Sequence, residues 1–185
     1  MSEQPTTLIV NLFGGPGCGK STTAAGVFYL MKMSGINCEL ATEAAKDFTW
    51  EKRFHTLENQ AYVFAKQLQK LHRLIGQVDV VITDSPLPLS SIYAPENYPK
   101  SFDHFVLDIF NSMNNLNICI RRCHNYESSG RKETEDQANL IDSRIREYLV
   151  NHTLSFIDVN GDPSALALIL GEVEKSLAKK LDNPE

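Results

Sequence analysis

The stretch Gly14-Gly15-Pro16-Gly17-Cys18-Gly19-Lys20-Ser21 matches GxxxxGK[ST] at every constrained position. Glycines in such a run let backbone N–H groups turn toward one centre without a Cβ in the way, which makes a loop that cradles phosphate. A helix opening at Lys20 would add the positive end of its dipole at the same point. Lys20 can reach the β- and γ-phosphates of a nucleoside triphosphate, the Ser21 hydroxyl can ligate Mg²⁺, and Thr22 can donate to an inner phosphate. ATP and Mg²⁺ are therefore the expected cofactors. Cys18 lies inside the loop, where its thiol reads as a small filler and not as a nucleophile. A dinucleotide-binding loop fits less well, because Lys20 stands where the third glycine should be.

Other positions could complete a phosphoryl-transfer site. Asp84 closes the strand-like run in VITDSP. Its carboxylate could hold Mg²⁺ through water or take the proton of an acceptor hydroxyl; the plainer alternative is an Asp that caps the turn before Pro86. Glu43 is a second candidate for general base or acceptor-binding group, and equally an acid favoured by a helix dipole. Lys46 lies one turn on, and Trp50, the only tryptophan, could stack on an aromatic acceptor or simply cover the core. Residues 119–132 contain Arg121, Arg122, Arg131 and Lys132 against the single acid Glu127. Such a stretch suits a lid over a triphosphate, with Arg131 beside Gly130 as the arginine that stabilises the transferring group; an exposed, solvated loop is the alternative. His124 has no His or Cys partner at metal-site spacing, so no zinc is expected. Asp162 is positioned to cap the last helix.

These residues need a frame that gathers strand ends. Leu8 to Phe13 is an almost continuous apolar run, as expected of a strand buried on both faces of a parallel sheet. Helical spacing runs from Lys20 through Ala24, Val27, Phe28 and Met31 to a stop at Ser34-Gly35. Further strands are expected over 36–42, 78–83, 117–120 and 154–159, and helices over 59–74, 102–110, 136–149 and 163–181. The prolines between Ser85 and Pro99 predict a loop. The series implies an α/β, three-layer fold, with a five-stranded parallel sheet, helices on both faces and a small lid at about residues 122–135. Ligands of such sheets bind at the carboxyl ends of the strands.

Composition bounds the partners. The 185 residues are one domain's worth, and 42% apolar with 22% charged side chains is ordinary globular chemistry. A net charge of −5 excludes a generally basic nucleic-acid binder, although not a local basic patch. No apolar run reaches the ~18 residues of a membrane span, and Met1 to Thr7 has no signal-peptide core. The expectation is a cytoplasmic protein without a membrane partner, its Cys18, Cys38, Cys119 and Cys123 reduced.

Taken in order, GGPGCGKSTT, TEAAKD, VITDSPLPLSSIY and RRCHNYESSGR resemble the P-loop kinases of the nucleoside and nucleotide kinase group, in particular its phage-encoded, thymidylate-kinase-like members. The resemblance implies that Lys20 and Ser21 serve phosphate and Mg²⁺, that Asp84 is the acid after the third strand, and that Arg131 is the lid arginine. It also implies an acceptor, which in some such enzymes is 5-hydroxymethyluracil within viral DNA; a phage protein of this kind would work in the host cytoplasm. Thymidylate kinases follow that acid with an arginine that grips the acceptor's phosphate, and here Ser85-Pro86 stands instead, while Tyr93 matches their later tyrosine. The departure favours an acceptor with a bare hydroxyl: a hydroxymethyl base in DNA, or alternatively a free nucleoside or nicotinamide riboside. A nucleotide acceptor would need Arg53, Arg121 or Arg122 in place of the missing arginine. A GTPase reading lacks both NKxD and a DxxG after the third strand. The second alternative is an ATPase or ATP-binding module, although an ATPase usually needs a second carboxylate to activate water, and Ser85 follows Asp84.

Overall fold

The structure is a computed structural model that describes residues 7–124, 126 and 134–182. Five strands, β1 (Leu8–Phe13), β2 (Cys38–Ala41), β3 (Val80–Thr83), β4 (Asn114–Arg121) and β5 (Ile157–Asn160), form one sheet in the order β2-β3-β1-β4-β5. Every pairing is parallel. β1 lies at the centre and is buried along its whole length, which is why its apolar run does not alternate with polar residues. Its side chains point to opposite faces in turn. Leu8, Val10 and Leu12 pack with Val27 and Met31 of α1 (Lys20–Met33) and with Ile169 and Val173 of α8 (Ser164–Asp182). Ile9 and Phe13 pack on the other face with Phe64 and Leu71 of α4 (Gln60–His72), Phe110 of α6 (Lys100–Asn111), and Ile145 and Leu149 of α7 (Glu135–Asn151). No helix among the described residues is long and apolar enough to cross a membrane.

Three short helices were not among the expected elements, although the reading of Glu43 as an acid favoured by a helix dipole implied one after β2. α2 (Ala44–Trp50) and α3 (Phe54–Glu58) follow β2, and α5 (Leu89–Ile92) interrupts the segment expected to be a loop. Each is too short to show a helical period. In α5 the proline that argued for a loop serves as a cap: Pro88 has φ −60 and opens a turn whose Leu89 and Ile92 are buried. The expected lid falls mostly on residues 125 and 127–133, which lie outside the described residues.

β4 also begins three residues before the expected Asn117. Its start is polar, and a buried side-chain network makes that tolerable. Asn11, 1% exposed, donates to Asn115 Oδ1 at 2.9 Å and Asn117 Oδ1 at 3.1 Å. Asn115 and Asn117 pass on donations to the carbonyls of Phe110 and Ser155. A one-residue slip of β4 would separate these partners, so the network fixes the register Asn11↔Asn117. At the other edge Asp158 of β5 bonds to Arg146 of α7 at 2.6 Å and to Arg121 of β4 at 2.9 Å. The Arg146 hydrogen bond chiefly, with Arg121 adding, holds this carboxyl below its ordinary 3.8.

Two outcomes follow. Asn11→Ala leaves the side-chain oxygens of buried Asn117 and half-buried Asn115 without this donor and should cost about 1–3 kcal/mol in urea unfolding; an unchanged midpoint would show that the network carries no stability. Asp158 has a depressed folded pKa, so its contribution is present above its ordinary 3.8 and is lost as pH falls through the folded value. Asp158→Asn should therefore flatten the acid limb of the stability curve below that pH, which thermal unfolding between pH 2 and 6 will read.

Candidate active site

The loop after β1 ends in Gly19, whose φ of +97 is left-handed and calls for glycine. α1 then starts with no side-chain cap on its first N–H groups and no acid in its first turn. That end of the helix keeps its donors and its positive dipole for an anion. Lys20 Nζ donates to the carbonyls of Gly14 at 2.6 Å and Gly15 at 2.9 Å, so the ammonium is folded back along the loop. Thr22 is exposed. Cys18 is buried, 2% exposed, and packs with the α1–α8 core.

β3 is the immediate neighbour of β1, and this brings Asp84 against the loop. Asp84 is 3% exposed, and its Oδ2 accepts from Ser21 Oγ at 2.6 Å. Its Oδ1 accepts from the backbone N–H of Glu43 at 2.9 Å, so Asp84 also ties down the end of β2. Glu43 is half-buried and stands as the N-cap residue of α2. A buried relay supports this corner: Gln67 of α4 accepts from the Ala44 N–H and donates to Thr83 Oγ1, which donates to the Ala41 carbonyl. Ser21 of α1 thus meets Asp84 at the end of β3, the Glu43 backbone at the end of β2 bonds the same carboxylate, and Lys20 directly precedes Ser21. A hydroxyl and a carboxylate side by side are the hard oxygen donors that suit Mg²⁺. Trp50 is 72% exposed at the end of α2, and Lys46 is exposed. Arg53 bonds Glu51 and lies 5.4 Å from the Phe48 ring centroid. Tyr93 is 38% exposed, at the end of α5.

Arg121 and Arg122, the described arginines of the basic stretch, sit on the opposite side of the loop from Asp84. Arg131 lies outside the described residues. Arg121 is engaged with Asp158. Arg122 bonds the Pro16 carbonyl at 2.5 Å and Asp142 at 2.7 Å. These two arginines therefore grip the protein, and neither lies on the β2–β3 side where Asp84 and Glu43 stand. Asp142, from α7, also accepts from the Gly15 N–H at 2.5 Å. The sequence reading did not single it out. The available signal was positional: Asp142 lies on the stripe of Ala138, Ile145 and Leu149 that α7 buries. Cys119 lines a small cavity of about 150 Å³ beside Arg122 and Asp142. Burial pushes its thiol up to about 11, which removes it as a nucleophile at neutral pH.

Residues 9–165 match the model of a family described as an AAA domain. No curated protein matches the chain in sequence. Among solved structures, NadR in complex with NAD and AMP-PNP superposes with a TM-score of 0.62 at 14% identity, over 89% of this chain and 49% of that one. NadR in complex with NR gives 0.62 at 16% identity, over 89% and 51%. Deoxyadenosine kinase from M. mycoides with bound dATP gives 0.57 at 17% identity, over 90% and 99%. The chain spans about half the length of the NadR structures. Likeness at these identities shows the fold: a three-layer α/β fold around a five-stranded parallel sheet, as in P-loop kinases.

If the loop is a triphosphate cradle, Lys20→Ala should lose binding of a nucleoside triphosphate with an unchanged far-ultraviolet circular dichroism spectrum. Titration with a fluorescent ATP analogue reads the loss, and wild-type affinity in the variant would remove Lys20 from the site.

Proposed function

This chain belongs to the AAA domain family, and on that premise we propose that it is an ATP-dependent kinase that moves the γ-phosphate to a hydroxyl of a nucleoside-like acceptor. The observation that carries the reading is the 2.6 Å bond between Ser21 Oγ and Asp84 Oδ2, beside the Glu43 backbone. It joins a phosphate-loop hydroxyl to a buried carboxylate at adjoining strand ends.

In this reading the Lys20 ammonium, which has three donors, reaches the β- and γ-phosphate oxygens from its place on the Gly14 and Gly15 carbonyls, and its charge offsets the charge that builds up during transfer. Ser21 and Asp84 would hold Mg²⁺, which when bound neutralises phosphate charge. The N–H groups of the loop and of the first turn of α1 orient the phosphates. Asp84 or Glu43 takes the proton of the acceptor hydroxyl, and Arg131 acts as the lid arginine. Phosphoryl transfer asks mainly for such positioning and electrostatics, with little covalent work by the protein. A cytoplasmic location agrees with this chemistry.

The acceptor belongs on the side of Asp84 and Glu43. Ser85 in place of an arginine, together with Arg121 and Arg122 engaged on the far side, favours an acceptor with a bare hydroxyl. The resemblance to phage-encoded enzymes points to 5-hydroxymethyluracil in DNA. The fold neighbours, NadR in complex with NR and a deoxyadenosine kinase, favour the alternative, a free nucleoside or nicotinamide riboside. A net charge of −5 also weighs against duplex DNA, whose binding leans on phosphate contacts.

The test supplies γ-labelled ATP with free nucleosides, nicotinamide riboside, nucleoside monophosphates, or DNA containing hydroxymethyluracil. Label on any one acceptor supports the kinase and names its substrate. Phosphate release that ignores every acceptor would replace the kinase with an ATPase. On the working acceptor, Asp84→Asn should lower turnover by at least ~10²-fold as base or metal carboxylate; turnover at the wild-type rate would sink that role.

A further inference from the structure

Arg122 and Asp142 form a pair that the phosphoryl-transfer reading leaves without a part. Their side chains are 10% and 25% exposed. Asp142 uses one oxygen on the Gly15 N–H and the other on Arg122. Arg122 uses its second terminal nitrogen on the Pro16 carbonyl. α7 comes so near that a Cβ on Gly15 would stand 2.6 Å from Asp142 Oδ1 and 2.9 Å from the Ala138 carbonyl. Gly15 is thus a glycine because of α7, not because of its own φ.

The planarity of the peptide unit gives this pair its consequence. In a trans peptide the C=O and the N–H point in opposite directions. Asp142 holds the N–H of the Gly14–Gly15 unit from outside the loop, which turns the Gly14 carbonyl inward, where it receives Lys20 Nζ at 2.6 Å. Arg122 holds the carbonyl of the Pro16–Gly17 unit from the same side, which turns the Gly17 N–H away from Arg122. One buried ion pair therefore sets the direction of two peptide units, one docking the lysine and one presenting a donor.

Packing alone does not account for the arginine. Its Nε is buried with no hydrogen-bond partner among the described residues, a cost that an apolar side chain of similar volume would avoid. Arg122 also lies 5.4 Å from the Tyr126 ring centroid, which restrains the guanidinium plane.

We propose that Asp142 and Arg122 are positioning residues of the phosphate loop, which orient its peptide units for a nucleoside triphosphate without touching it. The inference rests on the nucleotide-binding reading above. Asp142→Asn keeps an acceptor for the Gly15 N–H but turns an amide NH₂ toward the guanidinium donors. Arg122→Lys keeps the charge but cannot bridge Pro16 and Asp142 with one planar fork.

The test titrates AMP-PNP into wild type, both variants and the double variant, with thermal midpoints measured in parallel without nucleotide. The expected result is tight binding by wild type and about tenfold or greater weakening in each single variant. The double variant should bind no worse than the weaker single one, because the pair acts as a unit. On any working acceptor, kcat/KM for ATP should fall by up to ~10²-fold with little change in the KM of the acceptor. Variants with lowered midpoints but wild-type affinity would make the pair merely structural and overturn the inference, leaving nucleotide binding intact. Wild type that fails to bind AMP-PNP would overturn the nucleotide reading itself and this inference with it. Should one single variant not fold, the other carries the test.

Discussion

The Asp84 carboxylate is the point on which this structure turns. One oxygen takes the hydroxyl of Ser21 and the other takes the backbone N–H of Glu43, and the side chain is almost fully buried. A carboxylate can be kept in such a position only if both oxygens are satisfied. The partners come from the start of α1 and the end of β2, so this one group joins three neighbouring strand ends. The parallel order β2-β3-β1 is what makes that possible, because it sets all three carboxyl ends side by side at one edge of the sheet.

The phosphate loop is held from its other flank by a second polar contact of the same kind. Asp142 and Arg122 do for the outer face of the loop what Asp84 does for the mouth of α1. Between them the loop is gripped at Gly15, Pro16 and Ser21, and Lys20 closes the ring through two carbonyls. Its conformation is thus over-determined by side chains of β3, β4 and α7. A binding loop organised in advance loses less freedom when a ligand arrives.

The rest of the fold repeats the pattern of polar groups buried only where they fix geometry. The asparagines of β1 and β4 set a strand register, and Gln67 with Thr83 sets the start of α2 and so the height of Glu43. An apolar residue in any of these positions would bury as well. It would not specify which strand residue lies opposite which. The apolar clusters on the two sheet faces supply the driving force, and these few networks supply the alignment of the strand ends.

The local features were legible in the sequence. A continuous apolar run, a glycine-rich turn and an amphipathic helix are signals within thirty residues of one another, and they determine β1, the loop and α1 by short-range physics alone. The alternation of strands and helices likewise determined a parallel α/β sheet. The short helices α3 and α5 were not legible, and α2 only through the helix-start reading of Glu43, because one or two turns carry no period and are fixed by what they pack against. The polar start of β4 fell outside the expected strand, since its asparagines are tolerable there only where Asn11 donates to them. Partners were decided by the tertiary structure. Ser21 meets a carboxylate 63 residues away, and Gly15 meets one 127 residues away. Arg122 falls in a basic stretch that reads as a lid, yet it bonds beneath the loop. A charge in a sequence declares that it needs a partner. Only the packing of distant strand ends decides which partner is within hydrogen-bond reach, and so whether the group faces a ligand or holds the backbone that does.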